Sequence, residues 1–447
     1  MRQSDSFTRL CNPYPDMTPD TSDTIFALSS GASPAAIAVV RVSGPDAGAA
    51  LRALAGTLPR PRHATLGVLR RPGDAEPLDR ALLLWFPGPA SATGEDVAEL
   101  HLHGGRAVVR AVLDVLRTLP RLRDAQPGEF TRRAFANGML DLAEAEGLAD
   151  LLEAETERQR RQALAAAEGG LSRLVAGWRE RLTAAAAMIE AELDHADEED
   201  GAEAGQGARG EVESLAADIG AALARPPAER LRQGVRVVLA GPPNSGKSTL
   251  LNALAGQELA ITSPIPGTTR DLVSTPLALD GVALELTDTA GLRDTADPIE
   301  AIGVSRARQA VERADLLLWL GDPNEAPEGH AILIKPKADL RRTPVPQEDD
   351  AIAVSAVTGE GLEKLREQIR VRSERLIGAG DELLFNARQR ARLAETRREL
   401  GAMLRSHDLL VQAEHLRSAR HALAALTGHE EVEQMLDALF GRFCIGK

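Results

Sequence analysis

The chain of 447 residues has length for about three ordinary domains, and a content of 43% hydrophobic and 26% charged residues excludes a collagenous, disulfide-stapled or disordered polymer. A net charge of −14 excludes a blanket attraction to phosphate backbones, so any nucleic acid must meet a local patch. Two cysteines, Cys11 and Cys444, are too few for a disulfide framework or a thiolate metal site; with no apolar run near the ~18 residues of a membrane span, a reducing, cytoplasmic setting without membrane is expected.

Residues 1–21 read as a flexible leader: Asp5, Asp16 and Asp20 outnumber Arg2 and Arg9, no apolar region follows, and Met17 is an alternative start. A strand from Thr24, a Ser/Gly/Pro turn, an apolar strand 37–42, strands at 81–86 and 98–103, and helices after Pro45 and Gly105 make an α+β domain over 22–141. From Ala143 the chain becomes Ala/Glu/Arg-rich, and Leu171, Leu174, Val175, Trp178, Leu182, Ile189 and Leu193 recur at helical spacing. This is the first part of a helical domain, 142–231; eight carboxylates between Glu190 and Glu203 read as a solvated helix end or loop. Short apolar runs at 235–240, 282–287, 315–320, 331–335 and 351–354 alternate with helices, which implies a largely parallel α/β domain over 232–373. Leu/Ala/Arg helices return over 374–447, so the α/β domain interrupts the helical one.

Of the 52 basic residues only five are lysines, which directs attention to positions that need a compact ammonium. One is Lys247, in Gly241-Pro-Pro-Asn244-Ser245-Gly246-Lys247-Ser248. This is the phosphate-loop pattern between an apolar strand and a helix opening near Thr249. Backbone N–H groups surround the phosphates there, the lysine reaches the β and γ oxygens, and Ser248 ligates Mg²⁺.

Four further segments resemble, in order, the motifs of a GTPase. Pro266-Gly-Thr268-Thr269-Arg-Asp271 is similar to switch I, with Thr269 completing the Mg²⁺ shell, and Asp288-Thr289-Ala290-Gly291 is similar to switch II. Lys337-Ala-Asp339 resembles the guanine-reading motif, with Pro336 where that motif has asparagine; Ser355-Ala356 resembles the last base-contacting loop. Asp339, an acceptor for the guanine N1 and N2 donors, argues against an ATPase. Leu292 replaces the water-orienting glutamine of Ras-like proteins, and Asn244 with the Thr-Thr-Arg-Asp switch resembles GTPases that use potassium instead of an arginine finger. By that resemblance Asn244, Ile261, Ser263 and Thr268 hold K⁺, and Glu300 orients water through a second water; a surface carboxylate opening a helix after Pro298 is the plainer reading of Glu300.

Arg41-Val-Ser-Gly44, Thr93-Gly-Glu-Asp96, Glu99-Leu-His-Leu-His-Gly-Gly105, Pro127-Gly-Glu-Phe-Thr-Arg-Arg-Ala-Phe135 and the terminal Phe443-Cys444-Ile445-Gly446-Lys447 together resemble the MnmE/TrmE family of tRNA modification GTPases. The resemblance implies a multidomain α/β plus α architecture: an N-terminal folate-binding and dimerising α+β domain, and long helices interrupted by a Ras-like GTPase domain. It implies a homodimer acting with the FAD-carrying flavoprotein MnmG on tRNA. In that reaction 5,10-methylenetetrahydrofolate or 5-formyltetrahydrofolate supplies the carbon of an aminomethyl-type group (cmnm5/nm5) on C5 of the wobble uridine. Carried over, Arg41 and Glu99 are folate contacts, while Asn244 and Lys247 join Glu300 and Cys444 as catalytic candidates. Cys444 reads either as a nucleophile or one-carbon acceptor or as an inert packed thiol. Met139 and Ala92 stand where the family has a lysine and a tyrosine. His101 and His103 alternate on one strand without a third ligand, which favours folding or ligand contacts over metal. The rival reading is a GTP-switched ribosome- or RNP-assembly factor without covalent RNA chemistry.

Overall fold

Period-two apolar runs build the first sheet. β1 (Thr24–Leu28), β2 (Ile37–Ser43), β3 (Thr65–Arg70), β4 (Pro77–Phe86), β5 (Val97–His103) and β6 (Leu122–Asp124) lie in the order β3-β4-β5-β2-β1-β6, antiparallel except for the β1–β6 pair. This is a computed structural model, and it describes residues 23–194, 201–256, 274–279, 281–288, 309–327, 331–340, 351–378, 382–428 and 433–446. Ala38, Val40 and Val42 of β2 and Ala98, Leu100 and Leu102 of β5 face a core closed by α1 (Ala47–Ala55) and α2 (Arg106–Thr118). The intervening residues of both strands point to the opposite face. Strands β3 and β6 were not foreseen: four of the six β3 residues are exposed, so the edge strand lacks a buried alternation, and β6 is three residues long.

The described residues form two units, one of 1–145 with 431–447 and the other of 146–430. Residues 431–447, expected with the second helical part, pack with the unit of the first sheet. Helix Glu433–Phe440 sets Phe440 between Phe135 and Phe443, ring centroids 6.2 Å apart in both pairs, and Ile445 bridges to Pro127. Gly128, at φ +68°, passes so close to the Phe440 carbonyl that a Cβ there would sit 2.2 Å from its oxygen. Apolar spacing announces such a helix but not the surface that buries it.

The first unit also holds α3 (Glu129–Ala136) and the start of α4 (Leu142–Glu153), which leads in the second unit to α5 (Glu157–Ala167), α6 (Gly170–Asp194), α7 (Gly201–Ala224) and α8 (Ala228–Gln233). A capping box of Thr156 and Gln159 opens α5, and the same Gln159 amide donates to the Leu231 carbonyl at 3.0 Å. Leu171, Val175, Trp178, Leu182, Ala185 and Ile189 alternate three- and four-residue steps, the stripe of a bundle seam.

The α/β segment forms the second sheet, β12-β11-β10-β7-β9-β8, from β7 (Val235–Ala240), β8 (Ser274–Leu279), β9 (Val282–Asp288), β10 (Leu316–Trp319), β11 (Ala331–Pro336) and β12 (Ile352–Val354). Its strands are parallel except β8, antiparallel to β9. Helix α9 (Lys247–Ala255) follows β7, and α10 (Leu362–Ile377) closes the core with Leu365, Ile369 and Ile377. It runs four residues past the boundary at 373, because Ile377 still has core to bury. Then α11 (Ala387–Arg405) and α12 (Leu409–Ala424) return to α7 and α6 and complete a four-helix bundle around Leu182, Ile219, Leu400 and Leu416, all fully buried.

Candidate nucleotide-binding site

Parallel pairing brings the carboxyl ends of β7, β9, β11 and β12 to one edge of the second sheet, where loops of α/β folds bind ligands. After Ala240 the chain turns at Gly241, φ +148°, whose missing side chain lets the loop lie against Leu320. Asn244 is left-handed at φ +59°, a conformation asparagine tolerates, and Gly246 at φ +100° delivers the chain into α9. The first-turn amides of α9 have no helical partner and point into the loop.

Lys247 is 5% exposed, and its ammonium donates to the carbonyls of Gly241 at 3.1 Å and Pro242 at 2.8 Å. Three compact donors can hold those oxygens and a phosphate together, which a guanidinium fork cannot. The buried Ser245 hydroxyl has no partner among the described residues. Pairing of β7 with β9 sets Asp288 level with Leu239, and the Ser248 hydroxyl donates to the Asp288 carboxylate. A hydroxyl beside a carboxylate is the hard-oxygen donor set that suits Mg²⁺.

Beyond the loop a cavity of about 200 Å³ is lined by Gly246, Thr249, Pro336, Lys337, Asp339 and Ala356, among others. Its polar end is Asp339, and the Lys337 ammonium crosses to donate to the Asn244 carbonyl at 2.9 Å, tying the base loop to the phosphate loop. Ser355 is fully buried; its hydroxyl accepts from the Thr358 amide at 3.2 Å and shapes the loop that carries Ala356. Pro336 pairs with Val354 at the strand ends and forms part of the wall. Leu340 and Val357, 73% and 81% exposed, flank the cavity as apolar side chains that sequence motifs gave no reason to single out. Of the residues expected to hold nucleotide, Gly246, Thr249, Lys337, Asp339 and Ala356 line this cavity, Asn244 is tied to it through Lys337, Ser248 meets Asp288 beside Lys247 on the loop, and Ser355 lies buried behind Ala356. Ile261, Ser263, Thr268, Thr269, Thr289, Ala290, Gly291, Leu292 and Glu300 lie outside the described residues.

In the first unit, Arg41 binds one Glu99 oxygen through Nε at 3.1 Å and Nη2 at 2.8 Å, and His101 Nε2 lies 3.2 Å from the other. Burial raises the Glu99 carboxyl, but the charge and hydrogen bonds of Arg41, with the bond to His101, outweigh it and hold it below the usual carboxylate range. Arg41 also lies 5.9 Å over the Phe130 ring. A ligand carboxylate would therefore compete with Glu99 for this guanidinium. His103 pairs with Asp79 at 2.7 Å, and no cluster of three His, Cys, Asp or Glu side chains among the described residues is disposed to hold a metal. Cys444 is an exposed free thiol.

Sequence reasoning missed the ionic core of this unit. Arg133, 1% exposed, reaches Asp23 at 2.5 Å, Glu95 at 3.1 Å and Glu129 at 3.1 Å, while Arg123 holds the other side of Asp23 and Glu129. The Ser43 hydroxyl meets Thr93 and Glu95, both at 2.7 Å, and the Asn137 amide donates to the Thr93 carbonyl at 2.7 Å. The Thr93–Asp96 segment is thereby held from both sides, with Gly94 at φ +79° where a Cβ would meet Asn137.

A phosphate loop on α9, a Ser/Asp metal pair and an Asp339-tipped base cavity define the α/β segment as a P-loop GTPase domain. Residues 142–444 match the family described as the MnmE helical domain, and residues 24–139 that described as the GTP-binding protein TrmE N-terminus. The tRNA modification GTPase MnmE of Novosphingobium aromaticivorans is 54% identical over 95% of this chain and 100% of its own length; that of Sphingopyxis alaskensis is 56% identical over 91% and 100%. A solved G domain of the T. maritima FeoB iron transporter matches 31% of this chain and 98% of its own at 28% identity, with a TM-score of 0.24. The chain belongs to the MnmE family of tRNA modification GTPases.

Proposed function

We propose that this tRNA modification GTPase runs a potassium-dependent hydrolytic cycle in the cytoplasm and couples it, as a homodimer with the flavoprotein MnmG and its FAD, to building an aminomethyl-type group (cmnm5/nm5) on C5 of the wobble uridine. The carbon would come from 5,10-methylenetetrahydrofolate or 5-formyltetrahydrofolate. The observation that carries the nucleotide part is the joining of the base cavity to the phosphate loop through Lys337 and Asn244.

Asp339 accepts the N1 and N2 protons of guanine, and the Lys337 stem covers the base. Lys247 reaches the β and γ phosphate oxygens while it stays anchored on the loop carbonyls, and the α9 amides take the remaining charge. Ser248 and Asp288 would hold Mg²⁺, which supplies charge neutralisation at the β–γ bridge. The exposed Asn244 carboxamide has no partner among the described residues and is free to offer its oxygen to a monovalent cation. Ile261, Ser263, Thr268 and Thr269 complete the two metal shells in this reading, with Glu300 orienting water.

The outward face of the first sheet supports the folate and dimer readings. It bears the Arg41–Glu99–His101 cluster and, beside it, the apolar Leu66, Val68 and Leu82, each more than a third exposed. Burying such a row against a second copy removes it from water. Cys444 is open to solvent, as a one-carbon acceptor must be.

GTP hydrolysis in K⁺ and Na⁺, for wild type and Asn244→Gly, tests the mechanism. Glycine removes the carboxamide without straining the left-handed backbone. Wild type is expected to be at least tenfold faster in K⁺ and the variant slow in both, consistent with one lost electrostatic contact at the transition state. Equal wild-type rates in the two salts would refute the potassium role.

A further inference from the structure

Helix α2 turns Val109, Val112, Val115 and Leu116 toward the core. Its other side carries Arg106, Arg110, Asp114 and Thr118 at four-residue spacing, which puts them in one row. Opposite them, just beyond β3, stand Arg71 and Pro72; together they line a cleft of about 820 Å³.

The cleft is positive in a chain of net charge −14. Arg110 is exposed and has no partner among the described residues. Arg106 spends only Nε, donating to the Ser33 carbonyl at 3.2 Å. Arg71 lies 3.9 Å from Asp74 and 3.2 Å from Glu76, with all three side chains about half exposed, so these pairs yield easily to a stronger anion. The one acid in the lining, Asp114, is already engaged by Arg117 at 2.7 Å. Three guanidiniums in a concavity focus a field that scattered surface arginines do not.

The rest of the lining is small: Pro72, Ala107, Ala111 and Val115 offer no aromatic plane on which a base or pterin could stack. The row from Arg106 to Thr118 rises roughly 18 Å along the helix axis, too long for a single phosphate. We propose that this cleft binds the sugar–phosphate backbone of tRNA, giving an otherwise acidic chain its local contact with RNA. The proposal rests on the tRNA reading of the family and adds to it the surface involved.

Full-length Arg106→Ala/Arg110→Ala, titrated with fluorescent tRNA over a series of salt concentrations, should bind about tenfold more weakly. Its log–log salt slope should be shallower by about 1.5, the contribution of two phosphate contacts. Arg106→Lys/Arg110→Lys keeps the charge and should stay near wild type, and GTP affinity should be unchanged in both. Asp114→Lys adds a charge to the row and should tighten tRNA binding, so it decides the matter even if the alanine variant misfolds. Wild-type affinity and slope in the alanine variant, or no gain from Asp114→Lys, would overturn the proposal. So would saturation of the cleft by inorganic phosphate without effect on tRNA. A wild-type chain with no salt-dependent tRNA affinity would instead overturn the tRNA reading itself, a result distinguishable from binding that the variants leave untouched.

Discussion

In the proposed base site Asp339 supplies the acceptor for guanine, while Pro336, where the motif has asparagine, adds only an apolar wall. Asp339→Asn replaces an acceptor by a carboxamide that mispairs with guanine; losing two charge-assisted bonds of roughly 1.5 kcal/mol each weakens GTP at least ~100-fold. Xanthine nucleotide, with its carbonyl where guanine has an amine, should recover much of that affinity, and fluorescent-nucleotide titration reads both. Pro336→Asn restores a side-chain amide at the strand end facing Val354 and should strengthen GTP a few-fold, about one ordinary hydrogen bond. The phosphate-loop lysine and serine were legible because their spacing is dictated by the ligand. Arg133 was not, because beyond Glu129 one helical turn away its partners Asp23 and Glu95 lie far along the chain, and nothing local marks which of 47 arginines they meet. Arg133→Ala leaves those carboxylates without their cation and should cost about 3–5 kcal/mol in thermal or denaturant unfolding. Burial raises its partner Glu129, but the bonds from Arg123 and the Gln126 amide, with the charges of both arginines, hold it below the usual carboxylate range. That contribution is complete above the carboxyl's unfolded pKa and is lost as pH falls through the lowered folded value. Wild-type stability should therefore drop on acidification below the ordinary carboxylate range, and the drop should be smaller in the variant.

At the scale of elements, buried alternation and flanking turns made β2, β5, β7 and β9 readable, whereas β3, β6 and β8 escaped. Of these, β3 is a mostly exposed edge, β6 is three residues long, and β8 is the antiparallel edge of an otherwise parallel sheet, with Pro276 inside it. The C-terminal tail shows a second limit, since Gly446 closes against β1 with φ +102° and no space for a Cβ beside the Leu28 carbonyl. A sequence displays the glycine but not its neighbour. Gly446→Ala should undock the tail, lower stability by about 1–2 kcal/mol and speed alkylation of the already exposed Cys444. Thermal unfolding and thiol-labelling rates check the two effects separately. A tail that kept its labelling rate would mean that the close approach does not hold it.

For the whole molecule, the interruption of a helical bundle by a GTPase domain was legible because composition changes at both borders. In the second unit β7 follows α8 after a single glycine, and nine residues separate α10 from α11, so the GTPase domain is entered and left through short connections. The division of the folded chain was less legible, because a partner segment more than 300 residues away leaves no periodic trace. In the proposed function, nucleotide turnover at Lys247 drives the modification of tRNA. The most direct test is nucleoside analysis of tRNA from cells whose only copy of the gene carries Lys247→Ala, at wild-type protein abundance. The 5-substituted wobble uridines are expected to disappear and unmodified uridine or its 2-thio form to accumulate; a wild-type nucleoside profile in those cells would refute the coupling.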